Sequence, residues 1–290
     1  MKVIMIHGRD QQGQDPSALK KTWIDTFEKG LTIQGLAIPS DLDFVFPFYG
    51  DLLDGLIREV ADPATLDGVI AKGDIVPGEL SFYYDLVNEL AEQAGVTDAQ
   101  ISEHFKANYK ERGVLNWEWV QSILKVLDRS SGMGDFSVRK FTYDVFMYLT
   151  VPAIRKKINE FVLSAFNEEP SVVIGHSLGS VVGYDVLRNN DFLNVKKYIT
   201  IGSPLGVKAV RSKLTTPLVM PECIESGWYN AYDERDFVAL KPLDERNFSV
   251  EPSIVNSNHV KNQTDNRHGI EGYLNDAVVA KEIYDALGDR

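Results

Sequence analysis

Short apolar runs alternate with amphipathic stretches at both ends of the chain, and the two periods predict strands and helices by turns. Residues 2 to 6 form an apolar run closed by His7-Gly8-Arg9-Asp10, the pattern of a buried strand. Asp15-Pro16 supplies a helix cap followed by proline at the first helical position, and Leu19, Trp23 and Phe27 then recur every four residues. Residues 43 to 51 read as the next strand and its exit turn, completing a strand, helix, strand unit of the kind that builds a parallel sheet. Downstream, Pro152 opens a helix with Ile154, Ile158, Phe161, Val162, Ala165 and Phe166 on one face. Further strands are predicted at 171–174, 197–201, 228–232 and 253–256, and an amphipathic helix over 275–287 closes the chain. The expected architecture is α/β, a mostly parallel central sheet flanked by helices.

Between these regions the pattern changes. Residues 51 to 150 carry helical apolar spacings (Leu52, Leu53, Leu56, Ile57; then Leu80, Tyr83, Leu86, Val87, Leu90) and no strand of the sheet. Its second half is aromatic, with Trp117, Trp119, Phe136, Phe141, Tyr143, Phe146 and Tyr148. The division that follows is a core of residues 1–50 and 151–290 with 51–150 inserted. Most of these aromatics are expected to form the insertion's own core, and some to line a pocket.

The candidate chemistry lies where the run Ser171-Val172-Val173-Ile174 breaks into Gly175-His176-Ser177-Leu178-Gly179 and passes into Val181, Val182, Tyr184 and Leu187 at helical spacing. A serine on so sharp a strand-to-helix turn needs neighbours without side chains two positions away on either side, and Gly175 and Gly179 provide them. The Ser177 hydroxyl then stands clear of the sheet edge. The Leu178 amide, in the first turn of the helix, points where an oxyanion would form.

Gly-His-Ser-Leu-Gly in this setting resembles the nucleophile elbow of the α/β-hydrolase family, specifically its lipases and esterases. The resemblance covers residues 2 to 50 and 152 to 287. It implies an α/β-hydrolase fold in which 51–150 is a large, mainly helical cap or lid, and a catalytic order of Ser, then Asp or Glu, then His. His7-Gly8 is similar to the pair that opens the family's oxyanion loop, which implies the Arg9 backbone amide as a second oxyanion donor beside Leu178. Gly202-Ser203-Pro204 also resembles a lipase turn. For the acid, Asp233 and Asp236 both leave the strand at 228–232; Asp236, with Val238 two residues on, better matches the family's habit, and Glu234 ranks third. His268, in a loop just before the final helix, is the base the resemblance implies, with His259 at the surface or behind it. The implied activity is hydrolysis of a carboxylic ester by Ser177, Asp236 and His268 through an acyl-enzyme, with no metal or organic cofactor. The implied partner is a small acyl substrate, lipid-like if the aromatic cap meets it. Thioesterase, amidase and acyltransferase activities use the same triad, and a non-catalytic binding homologue would keep the fold.

Composition narrows the alternatives. Hydrophobic content of 44% and charged content of 25% are those of an ordinary globular protein, and 290 residues suffice for a substantial core. A net charge of −12 without clustered Lys and Arg argues against nucleic-acid binding and against anionic membrane surfaces. No stretch approaches the length of a membrane span, and the opening apolar run is too short for a signal peptide. The single cysteine, Cys223, fits a reducing compartment and a packing role, and a cytoplasmic protein is the expectation. Gly132-Met133-Gly134 lacks the strand, helix and third glycine of a nucleotide loop. His259, Asp265 and His268 match no zinc spacing.

Overall fold

A computed structural model describes residues 1–8, 11–60, 77–104, 117–130 and 138–288. Six parallel strands form one sheet in the order β2-β1-β3-β4-β5-β6. They are β1 Lys2–Ile6, β2 Asp43–Val45, β3 Ser171–His176, β4 Val195–Ile201, β5 Trp228–Ala231 and β6 Val255–Ser257. The chain steps outward from β1 to β2 and then returns to the other side of β1 with β3. The crevice at the carboxyl ends of β1 and β3 is therefore the point where the winding reverses, the place where open parallel sheets hold ligands. His7-Gly8 and Ser177 both leave the sheet there.

Alternation along the strands divides the core into two. Val3 and Met5 of β1, Val172 and Ile174 of β3, and Ile199 and Ile201 of β4 face α1 (Pro16–Ile33), α10 (Ile270–Leu274) and α11 (Ala277–Gly288) through Trp23, Phe27, Tyr273, Val279 and Ile283. Ile4, Ile6, Val173, Tyr198 and Trp228 face the opposite side. There α7 (Pro152–Leu163) and α8 (Leu178–Arg188) lie with α2 (Gly50–Val60), and the buried cluster continues without a break into α3 (Pro77–Gln93), α4 (Asp98–His104), α5 (Trp117–Ser130) and α6 (Val138–Thr150). Both faces of the sheet are thus covered, as parallel strands buried on two sides require. Asp185 of α8, a buried charge, is held by the Arg155 guanidinium and Asn159 of α7, tying the helix after Ser177 to its neighbour.

Local expectations mostly meet their structural counterparts. Asp15 accepts from Ser17 N at 2.9 Å, with Pro16 heading α1. Two details differ. β2 stops at Val45, because Gly50 already opens α2 and Pro47 has no N–H for a sheet ladder. Phe161 stands 38% exposed, since Ile154, Ile158 and Val162 fill the buried stripe of α7 and leave Phe161 at its rim. The connection from 205 to 226 contains α9 (Lys208–Ser212), whose leading amides of Lys208 and Ala209 bond the Glu89 carboxylate of α3. No described helix is long and apolar enough to cross a membrane.

Candidate active site

β3 is buried along its whole length and ends at His176; α8 starts at Leu178. Ser177 alone makes the turn, at φ 54° and ψ −129°, the one non-glycine with positive φ among the described residues. Such a conformation costs about 1–3 kcal/mol and persists only where the surroundings enforce it. Here the glycines are the enforcement. A Cβ on Gly175 would lie 2.8 Å from Ser180 Cα, and one on Gly179 would lie 2.2 Å from the carbonyl oxygen of Ile6. Only without those atoms can β1, β3 and α8 close around the turn.

Two long connections bring partners to Ser177. The loop after β5 carries Asp236 and the loop before α10 carries His268. His268 Nε2 lies 2.7 Å from Ser177 Oγ, and His268 Nδ1 lies 2.7 Å from Asp236 Oδ2. With Nδ1–H donating to the carboxylate, Nε2 is left as the acceptor for the serine proton. All three residues are buried, with relative exposures of 1% for Ser177, 0% for Asp236 and 2% for His268. Asp236 Oδ1 accepts from Val238 N at 3.1 Å, and Tyr273 OH donates to Oδ2 at 2.7 Å.

The competing aspartate is engaged elsewhere. Asp233, also buried, accepts from the Arg235 guanidinium, from Arg235 N and from Asn262 N at 2.7 Å. Burial alone would raise its carboxyl, but the Arg235 side chain and those amides hold it below its usual range. Asn262 in turn organises the loop of His268: its Nδ2 donates to the carbonyls of Arg267 at 2.9 Å and Gly269 at 3.0 Å. Glu234 is exposed and accepts from Asn258, and His259 is exposed. Ser203 and Leu205 are buried, Ser203 Oγ accepting from Ser180 Oγ at 2.7 Å, so this turn braces α8.

Two further histidines complete the surroundings. His7 Nε2 accepts from Tyr49 N at 3.0 Å, which leaves the proton on Nδ1 for the Gly8 carbonyl at 2.5 Å. Burial pushes His7 down to about 4, against the bond to Gly8, so its ring is neutral near pH 7. His176 donates Nε2–H to the His268 carbonyl at 2.9 Å; burial, then the neighbouring His268, holds it well below the usual histidine value. A Cβ on Gly8 would come 2.8 Å from Ser177 Cβ, so the chain after β1 passes directly over the serine. Arg9, expected to give an oxyanion amide, lies outside the described residues, as does Gly132-Met133-Gly134. The Leu178 amide heads α8, where no carbonyl of the preceding turn is available to it.

A cleft of about 320 Å³ opens on Ser177 and His268, lined by Gln11, Leu19, Trp23, His176, Asn266 and Ile270 among others. From the other side the Phe141 ring of α6 meets the His268 ring edge-on at 5.9 Å. Cys223 is buried against the Leu187 carbonyl at the carboxyl end of α8, and burial pushes its thiol up to about 11, an unreactive environment. Among the described residues no three His, Cys, Asp or Glu side chains converge as a metal-binding group.

Compared with known proteins, the chain matches no family model, no curated protein and no solved structure. The geometry therefore carries the functional argument by itself. Sequence reasoning chose Ser177, Asp236 and His268, and these three side chains meet. It did not find Asn262, whose approach to Gly272 and grip on the His268 loop are tertiary, or the Tyr273 hydroxyl on Asp236.

Proposed function

We propose that this protein is a serine hydrolase of α/β-hydrolase type that cleaves a carboxylic ester, with residues 51–150 forming a cap over the site. The observation that carries the reading is the continuous relay from Ser177 Oγ through the His268 imidazole to Asp236, at 2.7 Å and 2.7 Å, launched from a strained turn above the sheet. Buried Ser, His and Asp groups in that order have a specific chemical use.

Ser177 Oγ attacks the acyl carbonyl as its proton passes to His268 Nε2. Asp236 holds the imidazole by Nδ1–H and stabilises the imidazolium. The negative charge forming on the carbonyl oxygen is met by the Leu178 amide and, in this proposal, by the Arg9 amide. Collapse expels the alcohol, which takes the proton from His268 Nε2, and water activated by His268 then hydrolyses the acyl-enzyme. No cofactor enters these steps. The Phe141 contact with His268 supports the cap reading, since it brings the inserted helices to the edge of the base.

The test is a panel of p-nitrophenyl esters from acetate to long chains, with matched thioesters and anilides, on wild type, Ser177→Ala and His268→Gln. The expected result is ester hydrolysis by wild type with the highest kcat/KM for short acyl groups, which suit a cleft of about 320 Å³, and its loss in both variants. Turnover retained in Ser177→Ala, or a preference for thioester or anilide, contradicts the proposal.

A further inference from the structure

We infer that Tyr273 is a positioning residue of this site: its hydroxyl shares Asp236 Oδ2 with the His268 N–H and so sets how strongly that carboxylate holds the imidazole. The inference rests on the hydrolase reading above.

The direction of the bond is fixed by its neighbours. Tyr273 OH lies 2.7 Å from Asp236 Oδ2 and also accepts the Asp233 amide at 3.3 Å. The amide can only donate, so the phenol proton points to the carboxylate. The ring that carries it is fully buried on α10, packed against Gly202, where a Cβ would sit 3.3 Å from both Tyr273 Cε2 and the His176 ring. Gly202 has φ +57°, so this position favours glycine twice over, and its missing side chain lets the two rings lie side by side.

The bond matters because of where the nearest cation goes. Arg235 pairs with Asp233, while Asp236 receives neutral donors: Val238 N on Oδ1, and Tyr273 OH together with His268 Nδ1–H on Oδ2. Two donors on one oxygen divide its charge, so each bond is weaker than it would be alone. Among the described residues, the groups whose charge reaches this centre include Asp233 with Arg235 from the loop after β5, His176 from β3 and His7 behind His176, beside Asp236 and His268 themselves. A Tyr273→Phe exchange keeps the ring and leaves all of these in place while removing one donor. The carboxylate then pulls harder on the His268 N–H and better stabilises the imidazolium.

The experiment is Tyr273→Phe, read by the pH profile of kcat/KM and by the proton resonance of the His268 Nδ1–H. The acid limb is expected to move up by about 0.5–1 pH unit, the shift of a charge-assisted hydrogen bond partly compensated, and the resonance to move downfield. A limb and resonance that stay in place while rate or melting temperature falls would reduce Tyr273 to a packing role and overturn the inference; so would movement in the opposite direction. If Tyr273→Phe does not fold, a ring-fluorinated tyrosine at 273, a stronger donor of the same shape, is expected to move both readouts the other way, and no movement overturns the inference. The resonance needs no turnover, so a folded protein that hydrolyses no ester still tests it. The hydrolase reading and this inference therefore fail separately.

Discussion

Gly179→Ala concentrates the geometric demands of the serine turn in one methyl group. The added Cβ would lie 2.2 Å from Ile6 O, 2.4 Å from His7 O and 2.7 Å from Ile6 C, all of them backbone atoms at the end of β1. Ordinary contact begins beyond 3 Å, so β1 and α8 must part by about 1 Å. Neither can do so easily. β1 is bonded to β2 on one side and β3 on the other, and α8 is anchored through Asp185 to Arg155 and Asn159. Overpacking in a core costs about 1–3 kcal/mol, and a clash with main chain in the middle of a sheet belongs at the top of that range. For a chain of this size about 3 kcal/mol lowers the melting temperature by roughly 5 °C. Gly55→Ala is the control: Gly55 is an exposed residue of α2 with nothing within 4 Å of its would-be Cβ, and the exchange should stabilise by about 0.5–1 kcal/mol. Thermal unfolding followed by circular dichroism compares the two, and ester hydrolysis in the same samples should fall at least about tenfold in Gly179→Ala as the Leu178 amide moves. A Gly179→Ala protein that melts within a degree of wild type would refute the reasoning.

Exchange of the two buried aspartates separates their roles. Asp236→Asn should keep the fold and lose about 10⁴ in kcat/KM, because the amide favours the wrong imidazole tautomer, whereas Asp233→Asn should chiefly lower the melting temperature by loosening Arg235 and the Asn262 loop; equal kinetic losses contradict the assignment. Acid stability reports on His7, whose value falls from 6.5 unfolded to about 4 folded. A histidine depressed in the fold contributes its full stability above pH 6.5 and loses it as pH falls toward 4, about 3 kcal/mol in all at 1.36 kcal/mol per unit. His176, also depressed by burial, loses stability in the same direction as pH falls. Urea unfolding at pH 7 and pH 4.5 should therefore show a loss that is about 2 kcal/mol smaller in His7→Asn than in wild type; an unchanged loss argues against a buried neutral His7.

Much of this was legible in the sequence because the relevant constraints are local. The turn at Ser177 is dictated by glycines two residues to either side, and the strands by runs of β-branched residues too short to be helices. Asp15-Pro16 and Pro152 mark helix starts by backbone chemistry alone. The six-stranded parallel sheet follows from such elements alternating along the chain. What was not legible depends on distant partners. The resemblance favours Asp236 over Asp233, but the physical difference between them, Arg235 folding back on the first and His268 reaching the second, lies in the tertiary structure. Asn262 has the look of any loop asparagine, and its value lies in three carbonyls of a loop that only the tertiary fold brings to it. Tyr273 falls before the helix expected at 275–287, in the segment that follows His268, and the sequence shows its ring there but not that its hydroxyl reaches Asp236.

The central claim is an activated Ser177, and the most direct measurement is intact-mass analysis after treatment with a fluorophosphonate probe. The account predicts one covalent adduct per folded wild-type chain, mapped by peptide analysis to Ser177, slowed strongly in His268→Gln and absent in Ser177→Ala. A folded wild type that takes up no probe, or an adduct that persists in Ser177→Ala, would contradict it.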